Sequence, residues 1–232
     1  MQPVQPVQPV QDVVIVGAGG FGREVHEWLD DCNEHRPALR LLGFLDDDPA
    51  RHGTTCHGSP ILGGLDWLAG HARTVAPILG VGSPPAKRRI VARLRALGVT
   101  EFPSLVHPTA VIGRTVQIGE GAVICPGVIV TTDVRIGSFV TLNLDLTIGH
   151  DSVVGDYVTI APGVHVSGHA ELCEGCDLGT GAALIPSAKV GSWSVIGAGA
   201  VVTGTIPSDC TAVGVPARPI KTRPPGWHSG EA

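Results

Sequence analysis

From Ile112 to Val202 a branched aliphatic residue recurs at every sixth position, without one exception: Ile112, Ile118, Ile124, Val130, Ile136, Leu142, Ile148 and so on to Ile196 and Val202. Two residues ahead of each runs a companion series from Ala110 to Ala200, nearly all small or valine. An amphipathic helix repeats near 3.6 residues and a half-buried strand near 2, so neither sustains a period of six. Each hexad reads instead as one short strand and one corner, three of which close a triangular coil. A coil of that size buries its apolar side chains only by stacking on its neighbours, which makes the segment a β-solenoid of about five coils. Glycine follows the aliphatic residue at 113, 119, 137, 149, 155, 179, 191 and 197, where the chain is expected to turn.

Composition agrees with many corners around a core of small aliphatics: 32 glycines, 16% charged residues and a single Met. The formal charge of −5 comes from interspersed residues, and no basic block could neutralise a row of phosphates, so a nucleic-acid partner is not expected. No apolar run reaches the roughly 20 residues of a membrane span, and the N-terminus lacks a signal-peptide pattern; a cytoplasmic enzyme with no membrane partner is the expectation. Of six cysteines, Cys173 and Cys176 form one C-x-x-C with no second pair at zinc-site spacing, so no metal is expected.

The N-terminal third has another character. After a Gln-Pro-Val repeat, read as a disordered tail over 1–11, the strand Val13–Val16 leads into Gly17-Ala18-Gly19-Gly20-Phe21-Gly22 and a helix over Arg23–Asp31. Glycines in such a turn let backbone N–H groups at a helix N-terminus approach a phosphate. A second strand, Leu41–Leu45, ends in Asp46-Asp47-Asp48, carboxylates placed where a ribose or base could be gripped. A third strand over Ala76–Val81 precedes a basic helix over Lys87–Leu97. This Rossmann-like α/β unit, 12–104, is too short for a complete dinucleotide domain. A nucleotide or nucleotide-sugar ligand, a dinucleotide and a purely structural role all remain open on these residues. The solenoid is assigned to 105–206 and a C-terminal extension to 207–232.

The hexads resemble those of the hexapeptide-repeat transferases, whose fold is a left-handed parallel β-helix and most of which are trimeric, acyl-CoA-dependent enzymes. With the glycine loop through Glu24, the acidic Leu45-Asp46-Asp47-Asp48, Leu142-Asn143, Gly149-His150-Asp151 and the closing Gly214-Val215-Pro216-Ala217-Arg218, the chain is similar to the sialic-acid and bacillosamine acetyltransferase subgroup. The resemblance implies an acetyl-CoA-dependent transfer to an amino or hydroxyl group of a sugar, with a nucleotide-linked acceptor and two further copies in a homotrimer as partners. It implies His150 as general base, Asp151 as its orienting acid and Asn143 in the acceptor pocket; Gly17, Gly19, Gly20, Phe21, Asp46, Asp47 and Thr159 toward the acceptor and its nucleotide; and Gly168, Gly179, Thr180, Gly197 and Ala198 toward CoA. Relatives commonly carry His where this chain has Phe21 and Thr159, and Asp145 adds a carboxylate nearby. Histidine suits the base because its reference pKa of about 6.5 leaves a neutral fraction at cellular pH. His165 and His169 are expected on the open surface, and His107 at the domain junction. A different acyl donor, an acceptor without a nucleotide, or a non-catalytic nucleotide-binding scaffold are the competing readings.

Overall fold

The computed structural model describes residues 10–229. The tail expected over 1–11 lies outside them except for its end: strand β1, Gln11–Val16, already includes Gln11. Helix α1 runs Gly20–His35, longer at both ends than the periodicity suggested. Strand β2 is Leu39–Leu45, β3 Thr55–Cys56, β4 Ser59–Gly63 and β5 Val75–Leu79, and helix α2 is Pro84–Ala96. Their sheet has the order β3-β4-β2-β1-β5, with β2 and β5 flanking β1 in parallel. The hairpin β3–β4 escapes a sequence reading because β3 has only two residues and β4 carries Pro60, which argues against a strand.

From Leu105 onward the chain is a left-handed parallel β-helix of two-residue strands. Up to Val201–Val202 each strand pairs with the one eighteen residues on, as Thr141 with Thr159 and Thr159 with Asp177, so three hexads make one coil; the closing pairs, Lys189 with Thr205 and Val195 with Thr211, are sixteen apart. The stacked strands form three faces, here named for one coil: the Thr141 face of eight strands, and the Thr147 and Val153 faces of six each. Both aliphatic series point inward, and from Ile124 to Val202 they make one continuous core. The C-terminal extension continues this architecture: Cys210–Val213 adds to the Thr141 face beside Val195–Ile196, then Arg218–Thr222 folds back antiparallel.

The corners correct the expectation placed on glycine. From Ile118 to Ile196 the left-handed backbone sits three residues after each aliphatic position, at Gly121, Gly127, Gly163, Gly175, Gly181 and Gly199, and equally at Asp133, Phe139, Asp145, Asp151, Tyr157, His169, Ser187 and Trp193. The glycines directly after the aliphatic residue serve another purpose: a Cβ on Gly149 would lie 2.6 Å from the Gly168 nitrogen of the next coil, and one on Gly179 the same distance from the Ala198 nitrogen. They are there for close stacking of coils, and the turn is made elsewhere.

The α/β unit covers the Thr141 face. Trp28 and Leu29 of α1 share a core with Leu105, Val123 and Cys125, and Leu144 packs against its edge. Phe102 meets Phe139 edge-on, and Phe139 stacks on Tyr157 at the same corner one coil on. His107 is at the junction as expected: buried, it bridges Asp31 of α1 and Thr109. Lys87 of α2 is fully buried, its ammonium donating to Thr141 Oγ1 at 3.1 Å and to the Val158 carbonyl at 3.2 Å. The tail closes the same seam: His228 lies flat on Trp193, ring centroids 3.8 Å apart, with Arg88 of α2 also over that indole.

Candidate active site

The corner between the Thr147 and Val153 faces carries His150. Ile148 points inward, so two residues later the imidazole projects outward, 56% exposed, and Asp151 follows in the left-handed turn at φ +60°. A left-handed residue other than glycine costs roughly 1–3 kcal/mol, least for Asn, Asp and His, which fits an aspartate here. Asp151 Oδ2 lies 2.7 Å from His150 Nδ1. That contact fixes the tautomer: Nδ1 carries the proton and donates, leaving the Nε2 lone pair for chemistry. The hydrogen bond from His150 holds the Asp151 carboxyl below the usual carboxylate range, with the nearby His169 ring adding to the same effect.

One coil further on, Gly168 passes beneath the ring; a Cβ there would be 2.7 Å from both Cε1 and Nε2 of His150. Its N–H has no backbone acceptor among the described residues, so it is a donor available beside the base. His169, expected to be mere surface, is drawn into the site: its Nε2 is 3.7 Å from Asp151 Oδ2 and its ring stands perpendicular to His150 with centroids 5.1 Å apart. The six-residue count alone pointed His169 outward; that 150 and 169 fall at one corner on successive coils follows from the eighteen-residue coil and could have been read. His165 is exposed, with its Nδ1 3.0 Å from Thr147 Oγ1, as expected of surface.

Asn143 and Asp145 are not in contact with this group. They occupy the neighbouring corner, one face-width away, where Asn143 Oδ1 accepts from the Leu144 N–H and Asp145 makes the left-handed turn. In the same corner, two and three coils along, lie Gly179 with exposed Thr180 and Gly197 with exposed Ala198. The residues implied for CoA thus divide between two corners, Gly168 at one and the other four at the next, with the Thr147 face between them. That face displays Val111 and Ile129, 61% and 42% exposed.

In the glycine loop the residues separate by role. Gly17 is at φ +97° and a Cβ would strike Val81 and Gly80, while a Cβ on Gly22 would sit 1.8 Å from the Gly17 carbonyl oxygen; both are demanded by packing. Gly19 and Gly20 face open space, with at most the tip of Arg23 near, and α1 begins at Gly20 after the N-cap Gly19, with no side-chain cap and no acidic residue in its first turn. Their amides are open to an anion. Phe21 packs edge-on against Trp28. Asp46 departs from expectation: its carboxylate is consumed within the protein, accepting from the Ala18 N–H, the Asp48 N–H and Arg51 Nη1, while Arg51 Nη2 reaches the Ala18 carbonyl. It braces the loop, and three of its roughly four acceptor sites are already taken within the protein. Asp47 stays exposed beside a cleft of about 340 Å³ lined by Leu65, Ala86, Arg89, Ile90 and Arg93. Thr159 departs likewise, being buried with its hydroxyl donated to the Gly82 carbonyl at 2.5 Å; it joins the two domains rather than lining an open acceptor pocket.

The three solenoid thiols on the regular repeat are poor nucleophiles. Burial pushes Cys125, Cys173 and Cys176 up, away from the thiolate that covalent catalysis needs.

Comparison with known proteins agrees with this architecture. The PglD N-terminal domain matches residues 12–94, and the bacterial transferase hexapeptide of six repeats matches 109–143. GDP-perosamine N-acetyltransferase of Escherichia coli O157:H7 is 31% identical over 220 residues, 90% of this chain and 96% of that protein. Among solved structures, the acetyltransferase domain of PglB from Neisseria gonorrhoeae in complex with acetyl coenzyme A superposes with a TM-score of 0.81 at 29% identity, over 91% of this chain and all of that one. PerB from Caulobacter crescentus, in complex with CoA and GDP-perosamine, does so with a TM-score of 0.81 at 28% identity, over 92% and 99% of the two chains.

Proposed function

The chain belongs to the hexapeptide-repeat sugar acetyltransferases that carry a PglD-type N-terminal domain, and from that premise we propose that it moves the acetyl group of acetyl-CoA to the amino group of a nucleotide-linked amino sugar, with His150 as general base. The observation that carries this reading is the Nδ1–Asp151 hydrogen bond at an exposed corner, beside an unused Gly168 amide. As the amine nitrogen bonds to the thioester carbonyl carbon, its proton passes to His150 Nε2. Asp151 stabilises the resulting imidazolium, and the Gly168 N–H can donate to the oxyanion. Collapse breaks the C–S bond, and the proton leaves with the CoA sulfur. No covalent intermediate on the protein is required.

The nucleotide is assigned to the α/β unit, its phosphates against the Gly19 and Gly20 amides and its base toward Asp47 and the adjoining cleft. This arrangement calls for more than one copy. The α/β unit covers the Thr141 face, and His150 is at the corner opposite that face, so an acceptor held by one copy is best placed for the His150 of another. The apolar, exposed Thr147 face, bounded by the His150 and Asn143 corners, is the surface on which a threefold assembly would close, with the CoA arm along it.

The test is thiol release from acetyl-CoA with a panel of amino- and hydroxy-sugar nucleotides, alongside His150→Ala. Release with an amino-sugar nucleotide, lost in the variant, supports the reading. Release undiminished in the variant, or found only with hydroxyl acceptors or with no nucleotide, overturns it.

A further inference from the structure

A second group of ligand-type side chains lies in the α/β unit, away from the solenoid that carries His150, and goes beyond the acetyl transfer. His26 and Glu27 project from α1. His57 projects from the turn between β3 and β4, where Cys56-His57-Gly58-Ser59 reverses the chain with both central residues left-handed, φ +47° and +77°. His57 is therefore held in a conformation that histidine tolerates better than most residues, and the turn carries its ring across to α1. His57 Nδ1 is 3.1 Å from Glu27 Oε1. The His26 and His57 rings are perpendicular with centroids 6.1 Å apart, and one ligand atom from each of the three residues lies within 4.8 Å of the others.

His26 supplies the independent sign. Its Nε2 meets Ser59 Oγ at 3.2 Å, whereas Nδ1 is buried without a hydrogen-bond partner. A buried imidazole nitrogen without a partner costs free energy, and it leaves His26, a residue of this three-membered group, one hydrogen bond short.

We propose that His26, Glu27 and His57 form a binding site for a divalent transition-metal ion of the zinc class. Two imidazoles and one carboxylate are the donor set such an ion takes, with water completing four-coordination on the open side where Glu27 and His57 are exposed; calcium and magnesium prefer all-oxygen sites. The site ties α1, whose N-terminus bears the glycine loop, to the β3–β4 hairpin, and so acts as a staple on the nucleotide-binding unit rather than as part of the acetyl transfer.

His150, Asp151 and His169 form the other group of this kind among the described residues, fully on the surface, so the experiment must separate the two. The full chain, stripped with chelator, is titrated with Co(II) and Zn(II) in a His150→Ala/His169→Ala background, reading cobalt d–d absorption, stoichiometry by calorimetry and the shift in Tm. One equivalent bound with a raised Tm, and affinity reduced at least about tenfold by His57→Asn or by Glu27→Gln, is the expected result. His57→Asn keeps a residue that accepts the left-handed turn, so loss of binding is not loss of fold; far-UV circular dichroism checks this. Absence of binding in that background, or binding unchanged by His57→Asn and Glu27→Gln, overturns the proposal.

Discussion

Gly168 approaches His150 so closely that a single methyl group on it would stand 2.7 Å from the imidazole Nε2 and Cε1. Glycine here makes room for the base on the next coil. Gly168→Ala is therefore expected to displace the ring while leaving the coil folded, since Gly168 has no left-handed backbone to strain. Turnover should fall by at least about tenfold with Tm nearly unchanged, measured by thiol release and by thermal melting side by side.

His150→Ala should lower kcat by roughly 10²–10⁴, the usual contribution of a general base, without loss of fold. Asp151→Asn removes the carboxylate that accepts from His150 Nδ1 and should lower kcat by at least about tenfold with the fold intact, measured by thiol release beside a thermal melt; an unchanged kcat would remove Asp151 from that role. His169→Ala should cost less, because its contact with Asp151 is longer.

Thr159→Val takes away the donor to the Gly82 carbonyl while preserving shape. A carbonyl left without its partner in a buried junction costs about 1–3 kcal/mol. As Gly82 follows β5 in the α/β unit proposed to hold the nucleotide, the expected kinetic effect is a raised KM for the acceptor with kcat little changed, readable from steady-state kinetics at saturating acetyl-CoA.

Lys87 makes the stability of the junction depend on pH. Burial pushes its ammonium down to about 7 from 10.5, with Asp177 opposing the shift. Between those values the unfolded chain holds a proton that the folded chain has released, so stability rises with pH across this window, by at most about 1.4 kcal/mol per pH unit, and the penalty is fully present below pH 7. Lys87→Met should flatten that slope. Denaturant melts of both proteins at pH 7 and pH 9 measure it.

If the Thr147 face closes a trimer, Ile129→Asp should dissociate it, because an unpaired carboxylate would enter an apolar contact. Light scattering after gel filtration gives the mass directly, and activity should fall with it if acceptor and base come from different copies. A monomeric wild-type protein with full activity would exclude the shared site.

The repeat made the solenoid legible because it is a one-dimensional signal: with period six and Ile148 inward, His150 must point outward, and Asp151 beside it follows by adjacency. The glycine loop could be read for the same local reason. What the sequence could not supply is which residues spend their polar atoms on one another. Asp46, in a motif suited to gripping a ribose, is consumed by Ala18, Asp48 and Arg51, and Thr159 is consumed by Gly82, because folding brings segments 28 and 77 residues apart into hydrogen-bond range. The same stacking of coils drew His169 to Asp151 and set Gly168 under His150. Local pattern determined the elements and their inward faces; only the tertiary structure decided which outward side chains meet, since that depends on the coil repeat and on the face the α/β unit covers.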